Sequence, residues 1–272
     1  MVAALASAAL HAGWNAAVKA NTNPSQAMAA QLLVSAGLSV ALLGWAGLPP
    51  PQAWPWMAGS AAAGTAALTA LLRAYERGGF GVVYPISRAA SVLLVVPLAG
   101  LTTGQWPGAL GAAGIGLVSL AVTALAFNTR RTPTVTPHAI GWTLLAAACT
   151  AGYLLCDGLG MRHGASPLSY GLSMSVVNAA AFVLLRRPCL TGTGPDRRWL
   201  PAIAIAAAST GSYLLILWVW TRAPIALGAA LRDTSAVFAT LIAVLALKEP
   251  LTRPTTTAIA LATAGTILIR LG

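Results

Sequence analysis

Three charged side chains interrupt apolar segments of this sequence, at positions where charge is costly. Arg88 lies within the apolar segment 80–101, and Arg232 and Asp233 lie within the segment 224–246. Each arginine is about nine residues into its segment, so in a membrane-spanning helix both arginines would lie near the bilayer centre. A central arginine costs roughly 2.5–3.5 kcal/mol on insertion scales, so it is retained where it faces water, a partner or a ligand.

Arg232 and Asp233 are neighbours, so on a helix they project about 100° apart and cannot share one face. We expect Asp233 to pair with Arg88, which leaves Arg232 to bind a substrate carboxylate or phosphate through paired hydrogen bonds. The alternative is structural. In that case the charges form an ion pair that only fixes helix register, or the arginines snorkel to the interface.

A second polar group lies in the first apolar segment, 2–18. His11 and Asn15 are four residues apart and stack on one helix face, with Trp14 beside that face. A histidine at this depth can carry a proton near neutral pH, which makes His11 a candidate for coupling transport to a proton gradient. The alternative is a neutral histidine that only hydrogen-bonds between helices.

Further polar and aromatic residues complete the predicted substrate site. Pro85 is expected to break its helix near Arg88, which makes the preceding Tyr84 a candidate. Asp157 is instead expected at the membrane interface, because it falls at the end of the segment 139–158. The remaining candidates are Ser91, Tyr153, Asn178, Tyr213, Trp218 and Ser235.

Apolar segments separated by short gaps must position all of these residues. The sequence is 57% hydrophobic and only 8% charged, which indicates a membrane protein. The net charge of +11 comes mostly from basic residues in the gaps, where they set topology, so we expect no nucleic-acid partner. The segments are about 2–18, 26–47, 54–75, 80–101, 107–127, 139–158, 167–186, 199–220, 224–246 and 253–271.

The sequence also contains an internal repeat. A shift of 144 residues places Arg88 on Arg232 and Ser91 on Ser235 without a gap. Because each half has an odd number of segments, the second half would enter the membrane from the opposite side. We therefore predict an all-α membrane protein of ten transmembrane helices, built as two inverted-topology five-helix repeats at residues 1–130 and 131–272.

Three stretches resemble one known family: HAGWNAAVK at 11–19, AYERGGFGVVYPISRAASVLL at 74–94, and ALRDTSAVFATLIAVLALKEPLT at 230–252. The family is the EamA type of the drug/metabolite transporter superfamily, and the resemblance covers nearly the whole chain. It implies that small metabolites, amino acids among them, are exported or exchanged through a central cavity between the halves. Related four-helix multidrug pumps carry a glutamate on the first helix where this sequence has His11, so we do not expect export of cationic drugs.

We therefore expect a secondary transporter of an amino acid or a similar zwitterion or anion. It would work as a monomer by alternating access in a bacterial cytoplasmic membrane, with membrane lipid and protons as further partners. The alternatives are an intramembrane enzyme, or a channel or scaffold. The acidic residues have no catalytic or metal-binding spacing, so we expect no enzyme, metal or cofactor.

Two observations disagree on orientation. Eleven basic residues follow odd-numbered segments, and the positive-inside rule then places both termini outside the cell. The family resemblance implies cytoplasmic termini. The sequence leaves both orientations open.

Overall fold

The computed structural model describes residues 1–19, 21, 24–77, 80–126, 137–185, 199–246 and 253–271. Within these ranges the regular structure is helical and contains no strand, which confirms the all-α prediction. The α-helices are α1 (Val2–Lys19), α2 (Pro24–Ala46), α3 (Trp54–Tyr75), α4 (Phe80–Thr103), α5 (Ala109–Ala126), α6 (Pro137–Arg162), α7 (Pro167–Leu185), α8 (Trp199–Trp220), α9 (Ile225–Asp233), α10 (Ser235–Ala246) and α11 (Arg253–Leu271).

Each predicted apolar segment is helical, and the ninth is divided in two. The division falls at Thr234, whose hydroxyl donates a hydrogen bond to the carbonyl of Leu231 at 2.7 Å. Among the described residues, five helices are long and apolar enough to cross a membrane. They include most of α2, α4, α7 and α8 and the whole of α6. The chain is therefore a multi-pass membrane protein.

The predicted helix break at Pro85 was wrong. Helix α4 runs without interruption from Phe80 to Thr103. Pro85 falls in the second turn of α4, where its missing N–H removes one hydrogen bond and leaves the following turns intact. The interruption occurs instead directly after Asp233, between α9 and α10.

Proline and glycine set several helix ends. Helices α6 and α7 begin with Pro137 and Pro167, whose fixed φ suits the first helical position and whose missing N–H would have no partner there. Gly47 and Gly104 follow the last residues of α2 and α4 with φ of 73° and 69°. This left-handed conformation closes a helix at little cost only for glycine.

Helices α3 and α6 pack against each other in antiparallel orientation. At one end the rings of Trp56 and His163 lie 5.3 Å apart, and at the other end the Arg73 guanidinium lies 5.3 Å from the centre of the Trp142 ring. We name the two ends of the bundle by residues. The Trp220 end is where α6 and α8 end and α7 and α9 begin, and the Trp142 end is where α3 ends and α6 begins.

The packed core is concentrated toward the Trp220 end. The side chains of Trp220, Tyr170, Leu217 and Ile225 are almost completely buried there. The Trp220 indole N–H donates to the carbonyl of Ile225 at 3.2 Å, which ties the end of α8 to the start of α9. This end of the bundle is thus filled by large side chains.

Candidate functional site

A cavity of about 440 Å³ lies in the middle of the bundle and extends toward the Trp142 end. Its α7 lining runs from Ser175 to Phe182, three residues before that helix ends, and includes the exposed Asn178. Both halves of the sequence contribute to its wall. Polar and charged lining residues are His11, Gln31, Ser35, Ser60, Thr65, Asp157, Ser175, Asn178, Ser209, Thr210 and Arg232.

Arg88 and Asp233 form an ion pair that joins α4 to α9. The Nη2 atom of Arg88 donates to Oδ1 of Asp233, and the two side chains are 17% and 2% exposed. The pairing confirms the prediction that these residues meet across the two halves. Arg232, the neighbour of Asp233 on α9, projects in a different direction from Asp233 and lines the cavity.

Three buried side-chain nitrogen atoms of cavity-lining residues have no hydrogen-bond partner among the described residues. They are Nδ1 of His11, Nε1 of Trp14 and Nε of Arg232. The rings of His11 and Trp14 meet edge to face, with centroids 5.2 Å apart. A buried donor without a partner is costly, so this part of the cavity is suited to a ligand with acceptor oxygens. The Nδ1 atom of His11 is a donor in only one of its two neutral tautomers.

Asp157 is an acidic residue in the cavity wall, whereas Arg232 is a basic one. Its carboxylate accepts hydrogen bonds from the phenol groups of Tyr170 at 3.1 Å and Tyr213 at 2.8 Å. The residue is 2% exposed, so the prediction that it lies at the interface was wrong. Helix α6 continues to Arg162, beyond the predicted end at 158, and Asp157 therefore lies more than a turn inside the helix.

The second half of the chain is similar to a known family. Residues 138–271 match the model of the EamA-like transporter family, part of the drug/metabolite transporter superfamily. Members of this family are transporters rather than enzymes, and the match indicates a membrane transporter of small molecules.

A solved crystal structure has the same fold as this chain. It aligns with a TM-score of 0.78 over 99% of this chain and 94% of its own, at 16% sequence identity. At this identity the likeness shows the fold alone. No match was found among curated proteins.

The predicted site residues of this chain separate into two groups. The first group lines the cavity and consists of His11, Trp14, Tyr153, Asn178, Tyr213 and Arg232. The second group does not line it and consists of Asn15, Arg88, Ser91, Trp218, Asp233 and Ser235. The side chain of Tyr84 lies outside the described part of the chain.

The second group supports the site or lies away from it. Asn15 donates to the carbonyl of His11 at 2.7 Å, and Ser91 donates to the carbonyl of Arg88 at 2.8 Å, so both side chains bond to their own helices. Trp218 is 42% exposed, with the Arg222 guanidinium 4.5 Å from its ring centre. Trp218 therefore belongs to the outer surface of α8 rather than to the cavity.

Sequence reasoning missed Asp157 and the small polar residues of the cavity wall. Of these, Gln31 donates to Ser35 at 3.2 Å, and Ser35 also bonds to Thr210 at 3.3 Å. The available signal was a set of polar residues spaced three or four apart, as at Gln31 and Ser35. Single serines and threonines in apolar helices commonly bond to their own backbone, so this signal was weak.

Proposed function

We propose that this chain is a secondary transporter that exports a small zwitterionic or anionic metabolite, such as an amino acid, across the cytoplasmic membrane by alternating access. One observation carries the proposal. Arg232 lines a central cavity with an unpartnered N–H group, while the adjacent Asp233 is compensated by Arg88. A guanidinium with an unpartnered donor at a cavity wall is suited to a carboxylate or phosphate.

The cavity supports a small substrate of this charge. Its volume of about 440 Å³ falls in the usual range of small-molecule sites, roughly 300–1,000 Å³. Arg232 lines this cavity, so its guanidinium can bind the carboxylate of an amino acid or a similar small anion. Arg232 disfavours a purely cationic drug, in agreement with the expectation drawn from His11.

The helix contacts support ten spans arranged as two inverted repeats, 1–130 and 131–272. Helix α3 packs against α6, and α1 packs against α8. The proposed repeat makes α1 equivalent to α6 and α3 equivalent to α8, so the contact of α3 with α6 is equivalent to the contact of α8 with α1. By the same relation, the contact of α2 with α7 and the contact of α5 with α11 are each equivalent to themselves. Such a relation lets the halves exchange roles around a central site.

The difference between the two ends supports alternating access over an open channel. Large buried side chains such as Trp220 and Tyr170 fill one end, while the cavity extends toward the other. A substrate that enters the cavity would therefore need a conformational change to leave at the Trp220 end.

The test is counterflow of labelled amino acids in proteoliposomes. Liposomes with reconstituted protein are loaded with one unlabelled amino acid, and the entry of the same labelled compound is followed. The expected result is saturable counterflow for at least one compound. Arg232→Gln should abolish it, because the amide keeps bulk and polarity but lacks the positive charge.

Arg222→Gln is the matched control. Arg222 is an exposed arginine beside Trp218, outside the cavity, so its replacement should leave counterflow unchanged. Normal counterflow by the Arg232→Gln protein would refute the role of this residue. Flux that neither saturates nor responds to the internal compound would indicate a channel instead.

A further inference from the structure

In the described part of the chain, the buried carboxylate of Asp157 has no basic side chain in direct contact. Among the described residues, no basic side chain lies within 4.0 Å of its oxygens. Burial of an ionised carboxylate is costly unless a cation pairs with it, and the neutral acid avoids that cost. Asp233 shows the contrast in the same molecule, because Arg88 pairs with it directly.

The groups around Asp157 suit both of its protonation states. Phenol groups from α7 and α8 contact its two oxygens, through Tyr170 and Tyr213. The Ser60 hydroxyl of α3 also faces it. A hydroxyl can donate to a carboxylate and can also accept a hydrogen bond from a carboxylic acid. These hydroxyl groups can therefore serve as hydrogen-bond partners of either protonation state.

Asp157 lies where the cavity meets the packed Trp220 end of the bundle. Asp157 and Tyr213 line the cavity, whereas Tyr170 is completely buried in the packed Trp220 end. The carboxyl group thus lies on the boundary between the accessible and the closed part of the bundle. Gly160 allows the Tyr170 ring to approach α6 and reach Asp157, because a Cβ at residue 160 would lie 2.5 Å from Cε2 of that ring.

The remaining titratable and charged groups near Asp157 are few. Cys156 precedes Asp157 on α6, and the Arg232 guanidinium on α9 attracts the Asp157 carboxylate electrostatically. His11 of α1 lines the same cavity near Arg232. A proton on His11 would add a positive charge beside that guanidinium, and like charges repel. Asp157 is therefore the better proton carrier of the two.

We propose that Asp157 is the proton-binding group that couples this transporter to a proton gradient. The inference rests on the proposed function and deepens it by naming the coupling ion. One proton from the side that the cavity faces converts the carboxylate to the neutral acid. After the bundle rearranges, the proton is released to the opposite side.

Two transport assays test the coupling. Exchange of the labelled substrate at equal pH requires no net proton movement, whereas accumulation under a pH gradient does. Asp157→Asn mimics the neutral acid. We expect it to lose accumulation above the equilibrium level while it still carries out exchange. Glu76→Gln is the matched control, because it makes the same chemical change at an exposed ion pair with Arg77 and should retain both activities.

The transport outcomes separate the alternatives. If Asp157→Asn loses exchange as well but still folds and binds substrate poorly, Asp157 binds the substrate ammonium group and the proposal fails. Accumulation driven by a sodium gradient rather than a pH gradient would also overturn it. If Asp157→Asn retains both exchange and accumulation, the proposal is also refuted.

An infrared measurement keeps the inference separate from the proposed function. The carbonyl stretch of a buried carboxylic acid is followed during a pH titration of the purified protein, without any substrate. We expect a band that changes with pH and is missing in Asp157→Asn, and Tyr213→Phe should shift it. Absence of such a band in the wild type at every pH would overturn the proposal even if transport is observed. A band without any transport would leave proton binding in place and refute the proposed function.

Discussion

Removal of either partner of the ion pair between Arg88 and Asp233 should destabilise the protein, and to unequal extents. Arg88→Ala leaves the Asp233 carboxylate, which is 2% exposed, without its cation. Loss of one partner from a buried pair typically costs about 3–5 kcal/mol. Asp233→Ala leaves an arginine that is 17% exposed and has a long flexible side chain, so we expect a smaller cost of roughly 1–3 kcal/mol.

The double variant distinguishes a paired charge from two independent ones. With both charges removed, neither is left buried alone, so the double variant should be more stable than Arg88→Ala. The expected coupling free energy is about 2–3 kcal/mol, at the upper end for residues in direct contact. Reversible unfolding in mixed micelles, followed by tryptophan fluorescence, measures all four proteins of the cycle. Additive effects of the two substitutions would refute the pairing.

Three further predictions concern packing, the site and the orientation. Gly114→Ala should cost about 1–3 kcal/mol of unfolding free energy, because the new Cβ would lie 2.6 Å from the carbonyl oxygen of Gly265. Gly116→Ala on the same helix meets nothing within 4 Å and should change the unfolding free energy by about 0.5 kcal/mol or less. Trp14→Phe removes a donor N–H from the cavity and should raise the Kd of the transported compound about tenfold, by scintillation proximity binding. By the positive-inside rule, an N-terminal epitope should be accessible to antibody on intact cells, and accessibility only after permeabilisation would contradict it.

The sequence predicted the helices well because their signals are local. Apolar runs end at proline, glycine or charge, and Pro137 and Gly104 both mark helix ends in the structure. The pair of Arg88 and Asp233 was also predictable, since neighbouring charges cannot share a helix face and a mid-membrane charge needs a partner. The division at Thr234 was not, because no proline or glycine marks it.

The cavity wall was harder to predict than the helices. Helices α2, α6 and α8 are apolar on all sides and have almost no amphipathic pattern, so the sequence does not indicate which face points inward. Asp157 was misplaced because a difference of four residues at the end of α6 moves it from the interface into the bundle. Its partners Tyr170 and Tyr213 come from α7 and α8, and their meeting is a product of tertiary packing.

Thiol labelling inside the cavity tests most directly whether the substrate binds there. Ser209 lines the cavity, and Ser209→Cys in a variant without the three native cysteines places a single reactive group on its wall. A membrane-impermeant thiol reagent should label it from the membrane face at the Trp142 end, and the transported compound should slow the labelling. Labelling at the same rate with and without that compound, in a protein that still transports it, would contradict the account.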